Sequence, residues 1–242
     1  MYIDFHTHII PEIDDGAKDI EMSCEMLACA QASGAETVIF TPHVSSMADF
    51  DAFLKKRSKK IAALNNAIKK DWFPCPYMLS GAEVLLDSAL SEREDVSSLC
   101  IEGTDLLLLE LPYTSWNSWY NNEIYNLMSK HNITPVMAHI ERYLKGPGDI
   151  KKLSSLISFG VKFQVNAGSF MSFSGRRIIR SLAAEGLISA IGSDCHNMSG
   201  RSPDIKRALS AFERKFGEEF LEYLYNKSSE LLENHKLKKY TN

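Results

Sequence analysis

Short apolar or β-branched runs alternate with longer amphipathic stretches along almost the whole of this 242-residue chain, and no other feature restricts its fold so strongly. Strands are predicted at Tyr2 to His6, Thr37 to Thr41, Tyr77 to Glu83, Leu106 to Leu111, Pro135 to His139, Lys162 to Asn166 and Ile188 to Ser193. Helices are predicted at Ile20 to Ala32, Asp49 to Lys70, Asn121 to Lys130, Ile150 to Phe159, Arg177 to Glu185, Ile205 to Phe216 and Phe220 to Glu233. Repeated βα units of this kind make a parallel sheet wrapped by helices, and about seven of them approach the eight of a regular barrel. Length and a 45% hydrophobic content suit one domain over residues 1–242, with no internal repeat or low-complexity linker. From about residue 234 a short basic tail, Asn234-His235-Lys236-Leu237-Lys238-Lys239-Tyr240, reads as a frayed, solvated end.

In a parallel barrel every strand opens with its C-terminal end on the same face, so residues distant in sequence converge there. His6 and His8 follow the first predicted strand, His43 the second, Glu83 ends the third, Glu110 the fourth, His139 the fifth, and Asp194 with His196 follow the seventh. All are metal-ligand types. A single buried histidine is usually satisfied by a backbone carbonyl; five of seven histidines at strand ends is a different pattern, and only His131 and His235 keep the ordinary reading. His6-Thr7-His8 puts two imidazoles on one side of an extended segment, because side chains alternate with period two, and Asp194-Cys195-His196 repeats the spacing. An oxygen and nitrogen donor set favours manganese, iron or zinc over copper or thiolate sites, and ligand type alone does not choose among them.

Ile13-Asp14-Asp15-Gly16 is either an ordinary Asp-Gly turn or a turn that swings a carboxylate back over the pocket. Arg142 follows His139 and Arg201 follows His196, so each is expected over the same face. A guanidinium there presents a fork of donors for phosphoryl oxygens, the alternative being a surface ion pair. The aromatic segment after Glu110 places Tyr113 and Trp116 either at the mouth, stacked on a substrate ring, or packed on a neighbouring loop.

Composition excludes several function classes. With 27 Lys and Arg against 31 Asp and Glu there is no surplus of cations for nucleic acid. Five cysteines, Cys24, Cys29, Cys75, Cys100 and Cys195, are odd in number and lack paired spacing, so a reducing cytoplasm is expected. The N-terminus has no signal-peptide pattern and no segment approaches roughly 18 uninterrupted apolar residues, so no membrane insertion is expected.

The ordered motifs DFHTH, IDDG, TPH, GAEV, LELPY, AHIERY, NAG and SDCHN, from Asp4 to Asn197, resemble the polymerase and histidinol phosphatase (PHP) superfamily. Within it the chain is similar to the bacterial capsular or exopolysaccharide tyrosine-protein phosphatases. That resemblance implies a distorted TIM-like (β/α)7 barrel, the PHP fold, holding three divalent ions, commonly manganese. It implies action on the phosphotyrosine tail of a bacterial tyrosine kinase that controls polysaccharide synthesis and export. By motif, His6, His8, Glu83 and Asp194 would hold the first ion, with Glu83 bridging to a second on Glu110 and His139. Asp15, His43 and His196 would hold the third, and Arg142 and Arg201 match the phosphate-gripping arginines. Ile140 stands where the family usually has proline, and Cys195 where a small or apolar residue often sits; neither departure removes a ligand.

The expected chemistry is direct attack of activated water on phosphorus without a phosphoenzyme, since bound cations lower the pKa of water toward roughly 7. Tyrosine, with a pKa of about 10, leaves more readily than an alkoxide. Three rival readings follow from the same residues. Cys195 to Arg201 satisfies the C-x5-R spacing of thiolate-dependent tyrosine phosphatases. The metal site could serve a small monoester such as histidinol phosphate, or a nucleic-acid end. A non-catalytic, metal-stabilised binding module is the third, and it predicts unfolding on chelation.

Overall fold

In a computed structural model that describes residues 2–71, 73–114 and 116–237, nine strands and seven α-helices alternate along the chain. Strands β1 (Tyr2–Thr7), β2 (Ala35–Phe40) and β4 (Tyr77–Ser80) form one parallel sheet in the order β1-β2-β4. The others are β3 (His43–Ser45), β5 (Glu83–Leu85), β6 (Leu106–Glu110), β7 (Thr134–Met137), β8 (Lys162–Asn166) and β9 (Ala190–Gly192). They form a second parallel sheet in the order β3-β5-β6-β7-β8-β9.

The two sheets are sewn together by the backbone. The Gly81 amide donates to Phe40 O at 2.8 Å and the Glu83 amide to Pro42 O at 3.0 Å, so the β2–β4 ladder runs on into β3–β5. The separate strand β3 was not expected: Pro42 has no N–H to contribute, and the interruption it makes in the ladder divides one long strand into two. At the opposite margin Thr7 bridges Cys195 in parallel, the Asp194 amide donates to His6 O at 2.8 Å, and the His8 amide to Cys195 O at 2.9 Å.

Strands β1, β6, β7, β8 and β9 are covered on both faces, which is why β6 reads as a continuous apolar run, whereas β4 has no buried residue. Leu107, Leu109, Met137, Val165 and Ile191 face the larger core, where the helices pack. Their neighbours in register, including Phe5, Ile39, Leu106, Leu108, Val136 and Ala190, form a second apolar cluster joined by Leu231 and Leu232. Period-two alternation therefore separates an inner from an outer core.

The helices are α1 (Ile20–Ala32), α2 (Phe50–Asp71), α3 (Trp119–His131), α4 (Ser154–Phe159), α5 (Phe173–Ala184), α6 (Lys206–Phe216) and α7 (Glu218–Asn234). Asp19 caps α1 by accepting from the Met22 amide at 2.8 Å, and Ser172 caps α5 through the Gly175 amide at 3.0 Å. The helix expected over Ile150 to Phe159 instead begins as a tight 3-10 segment, Pro147–Leu153, before α4. Pro147 supplies the fixed φ for that first turn, and α4 stops at Gly160, which adopts φ +86°.

The start of the tail is not frayed. His235 Nδ1 lies 2.8 Å from Asp105 Oδ1, Lys236 bridges Thr104, and the Leu237 amide donates to Gly103 O at 2.9 Å. Those polar partners, distant in sequence, hold the first residues of the tail against the fold, and residues 238–242 lie outside the described residues. Among the described residues, no helix is long and apolar enough to cross a membrane.

Candidate active site

Seven of the nine expected donor residues sit at or just beyond a strand end or a strand break, while Asp15 reaches in from the loop after β1 and His196 from the segment after β9. The structure brings them together. Donor atoms lie within 4.8 Å of one another in four overlapping groups: His8, Asp15, His43 and His196; His6, His8 and Asp194; His6, Glu83 and His139; His43, Glu83 and Glu110. Glu83 is the hub. Its Oε2 is 3.0 Å from His6 Nε2, 3.3 Å from His8 Nε2 and 3.1 Å from His43 Nδ1, while Oε1 is 3.0 Å from His139 Nε2. Glu110 Oε1 is 3.6 Å from His139 Nε2, and Asp15 Oδ1 is 3.3 Å from His196 Nε2 and 3.7 Å from His43 Nε2.

Outer partners fix the tautomers. His8 Nδ1 donates to Asp14 Oδ2 at 2.7 Å, His196 Nδ1 to the Asp194 carbonyl at 3.1 Å, and His6 Nδ1 faces Gln164 Oε1 at 3.3 Å. Gln164 is oriented in turn, because Oε1 accepts from the His139 amide at 2.8 Å and Nε2 donates to Asn166 Oδ1 at 2.9 Å. Each of these imidazoles therefore aims Nε2 inward, the atom a metal-ligating histidine offers once its proton is lost. The Nε2 atoms of His6 and His8 are 3.0 Å apart, and His196 Nε2 is buried without a hydrogen-bond partner. Converging lone pairs and carboxylates repel one another unless positive charge lies between them, so the donor set fits divalent cations.

Backbone geometry is committed to this cluster. Two of the non-glycine residues with positive φ are His139 at 31° and Asp194 at 54°, conformations that cost stability and concentrate at functional sites. A Cβ on Gly192 would lie 2.6 Å from His6 Cβ and 2.7 Å from Gln164 Nε2; one on Gly16 would lie 2.1 Å from His8 O. Only glycine allows β9 to approach His6 and the Asp14-Asp15 loop to fold onto His8.

Electrostatics follow the same plan. Burial opposes ionisation of Glu83, but His6, His139 and His8 outweigh it and hold the carboxyl well below its ordinary range. Burial likewise opposes Asp14, yet the His8 contact and the amides of His43 and Gly16 bring it down to about 2. Glu110 goes the other way, pushed up to about 7 by burial and then by the charge of Glu83.

Both arginines lean on Asp194. Arg142 donates from Nη2 to Oδ2 at 2.5 Å and Arg201 from Nη2 to Oδ1 at 2.6 Å. They line a hollow of 290 Å³ together with His43, Glu83, Glu110, Tyr113, His139 and Asp194. Tyr113 is 67% exposed and its hydroxyl accepts from Arg142 Nη1 at 3.2 Å, placing the ring at the mouth. Trp116 packs edge-on against Tyr120 at 5.9 Å and is not among the residues lining the hollow. Cys195 is fully buried in the core, its thiol pushed up by burial and then by Asp4, so it is neither exposed nor primed as a thiolate. His131 and His235 lie away from the cluster, on Ser91 O and Asp105.

Sequence reasoning missed the supporting polar residues. Gln164 and Asn166 alternate on one face of β8, and Asn166 Nδ2 donates to Asp194 Oδ2 at 2.7 Å. Buried Glu141 accepts from Ser169 Oγ at 2.7 Å. Two amides spaced by two at a predicted strand end were the available signal.

The sequence matches the model of the capsular polysaccharide synthesis CpsB/CapC family over residues 2–233. The chain belongs to this family. It is 30% identical to the tyrosine-protein phosphatase YwqE of Bacillus subtilis over 240 residues, covering 95% of this chain and 91% of that protein. To the tyrosine-protein phosphatase CpsB of Streptococcus pneumoniae it is 28% identical, covering 89% and 91%. A solved structure described as one of the unique metal-dependent tyrosine phosphatases, YwqE from B. subtilis and CpsB from S. pneumoniae, superposes with a TM-score of 0.83 at 28% identity, over 97% of this chain and 96% of that one. An amidohydrolase from Mycoplasma synoviae shares the fold alone, with a TM-score of 0.64 at 12% identity over 98% and 88% of the chains.

Proposed function

We propose that this chain is a metal-dependent protein-tyrosine phosphatase, its substrate the phosphotyrosine tail of a bacterial tyrosine kinase that governs capsular or exopolysaccharide synthesis. The observation that carries the reading is the meeting of Arg142 and Arg201 on Asp194, at the seam between a histidine and carboxylate cluster and an open hollow. A wall of donors that would hold cations, set against two guanidinium forks, suits a phosphoryl group, whose charge spreads over three equatorial oxygens in transfer. Relatives named as tyrosine phosphatases, matched over most of the chain, support the substrate class.

In this reading His6, His8, Glu83 and Asp194 would hold one ion. Glu83, Glu110 and His139 would hold a second, and Asp15, His43 and His196 a third. The donor set contains no thiolate and suits manganese, with iron or zinc compatible. When bound, such ions lower the pKa of water and neutralise phosphoryl charge. The chain's own part is then positional. Arg142 and Arg201 grip the non-bridging oxygens and stay oriented through Asp194, Tyr113 flanks the aromatic leaving group, and the tight packing around His6 and Gln164 keeps the donors fixed.

The distorted (β/α)7 barrel is proposed on the same footing. Its support is the sequence of backbone links from β1 through β2/β3, β4/β5, β6, β7 and β8 to β9, and from β9 back to β1 through Thr7, His8, Asp194 and Cys195. One domain fits that circuit, and five cysteines, odd in number and without paired spacing, fit a cytoplasmic setting.

The test is turnover of a phosphotyrosine peptide, histidinol phosphate and single-stranded DNA with manganese, repeated after chelation. The peptide should be preferred, and chelation should silence the protein while circular dichroism shows it still folded. A faster rate on either other substrate, or peptide turnover that survives full chelation, overturns the proposal. No turnover of any substrate even with manganese, together with unfolding on chelation, would instead identify a metal-stabilised binding module.

A further inference from the structure

A second cavity of 540 Å³ adjoins the catalytic hollow. The two share Arg142, Asp194 and Arg201 as a common wall. Beyond that wall the larger cavity is closed by the 3-10 turn after β8, the Ser199 to Asp204 loop and the first turn of α6, which contributes Arg207. Among the described residues no ion pair or hydrogen bond engages the Arg207 guanidinium, and the residue is exposed.

The charges on this wall are unequally free. Asp194 is neutralised by two arginines and further bonded by Asn166. Asp204 accepts from Ser33 Oγ and from the Lys206 amide, each at 3.2 Å. Arg142 and Arg201 each spend one Nη on Asp194 and retain other donors. An uncommitted guanidinium at the far side of a cavity of this kind offers a fork of donors to an anion there, with Ile205 and Ala208 offering apolar contact for an aliphatic or aromatic stem.

We infer that the cavity between Arg201 and Arg207 is a substrate subsite for a second anionic side chain, a carboxylate or another phosphotyrosine, lying close in sequence to the phosphotyrosine held in the catalytic hollow. The inference rests on the phosphatase reading and deepens it: Arg207 sets which phosphotyrosine is preferred, while Arg142 and Arg201 serve whichever one is bound. A peptide must cross the shared wall to leave the catalytic hollow on this side, so its adjacent residues pass over the larger cavity.

The experiment measures kcat/KM on p-nitrophenyl phosphate and on matched phosphotyrosine peptides with flanking Glu, phosphotyrosine, Ala or Lys, for the wild type and for Arg207→Ala and Arg207→Glu. Each peptide rate is divided by the p-nitrophenyl phosphate rate of the same variant, so a general loss cancels. Acidic flanks should lower KM by about fivefold relative to Ala, the scale of one exposed charge-assisted contact. Arg207→Ala should abolish that ratio, and Arg207→Glu should invert it toward Lys. Equal ratios for all flanks in the wild type, or a preference unchanged in both variants, overturns the subsite while leaving the phosphatase reading intact. Loss of all turnover by the wild type on p-nitrophenyl phosphate and on every peptide overturns both.

Discussion

Asp14 and Asp15 are adjacent, both carboxylates and both beside the cluster, yet their replacement should fail in different ways. Asp14 Oδ2 accepts from His8 Nδ1 at 2.7 Å and from the His43 amide at 3.0 Å, and Oδ1 accepts from the Gly16 amide at 3.0 Å. Its side chain is 5% exposed. Three hydrogen bonds at about 0.5–1.5 kcal/mol net each, partly recovered by entering water, put the stability loss of Asp14→Ala at about 2 kcal/mol. For a domain of this size that is about 4–8 °C in Tm, and it should appear in metal-free protein. His8 would also lose the group that fixes its tautomer, so manganese affinity should fall about 10- to 100-fold. Asp15 is 66% exposed and touches His43 and His196 only at 3.7 and 3.3 Å. Asp15→Ala should leave the metal-free stability within about 1 kcal/mol of wild type, the limit for an exposed pair and about 2–4 °C in Tm at this size, while shrinking the rise in Tm that manganese produces. Differential scanning fluorimetry and isothermal titration calorimetry with and without manganese decide the matter. Equal metal-free Tm values for the two variants, or manganese affinity of Asp14→Ala within about twofold of wild type, would refute the division of labour between an orienting and a donating carboxylate.

Other substitutions probe the same construction. Cys195→Ser should keep turnover within about threefold of wild type, because the buried thiol makes no nucleophilic contribution; complete loss with metal content intact would restore the thiolate mechanism. Gly192→Ala should destabilise the fold by about 1–3 kcal/mol and depress activity together, since its new Cβ meets His6 and Gln164. Gly148→Ala, where nothing lies within 4 Å, should stay within about 0.5 kcal/mol. Similar urea midpoints for the two glycine variants would contradict the packing argument.

How much of this was readable from residues alone depends on what each part of the site requires. The donor positions were legible because their side chains are chemically distinctive and parallel topology gathers strand ends on one face. His6, Glu83, Glu110, His139 and Asp194 meet for that reason. Gln164 and Asn166 were not, because an amide is as ordinary in a strand as it is useful beside an imidazole. The strand β3 was hidden by Pro42, whose effect on a ladder depends on which neighbour faces its missing N–H. Trp116 and Tyr113 share a segment and a residue class, but only the path of the loop sends Tyr113 to the hollow. The anchoring of His235 by Asp105 joins residues 130 apart and has no local signature.

Asp194 shows why the two halves of the site cannot be read independently. Its Oδ1 lies 3.6 Å from both His6 Nε2 and His8 Nε2 and 2.6 Å from Arg201, whereas Oδ2 takes Arg142 and Asn166. An ionised carboxylate offers about four lone-pair directions, enough for a cation and two guanidinium groups at once. Burial opposes its charge, but His6, Arg142 and Arg201 more than compensate and hold it far below the ordinary carboxylate range. The strained φ of 54° is what turns the side chain into that position. One residue thus fixes the spacing between the cluster that suits cations and the forks that suit phosphoryl oxygens. Together with the backbone bonds from the Arg142 amide to His139 O at 2.9 Å and from the His196 amide to Arg201 O at 2.8 Å, it couples a shift in either half to the other.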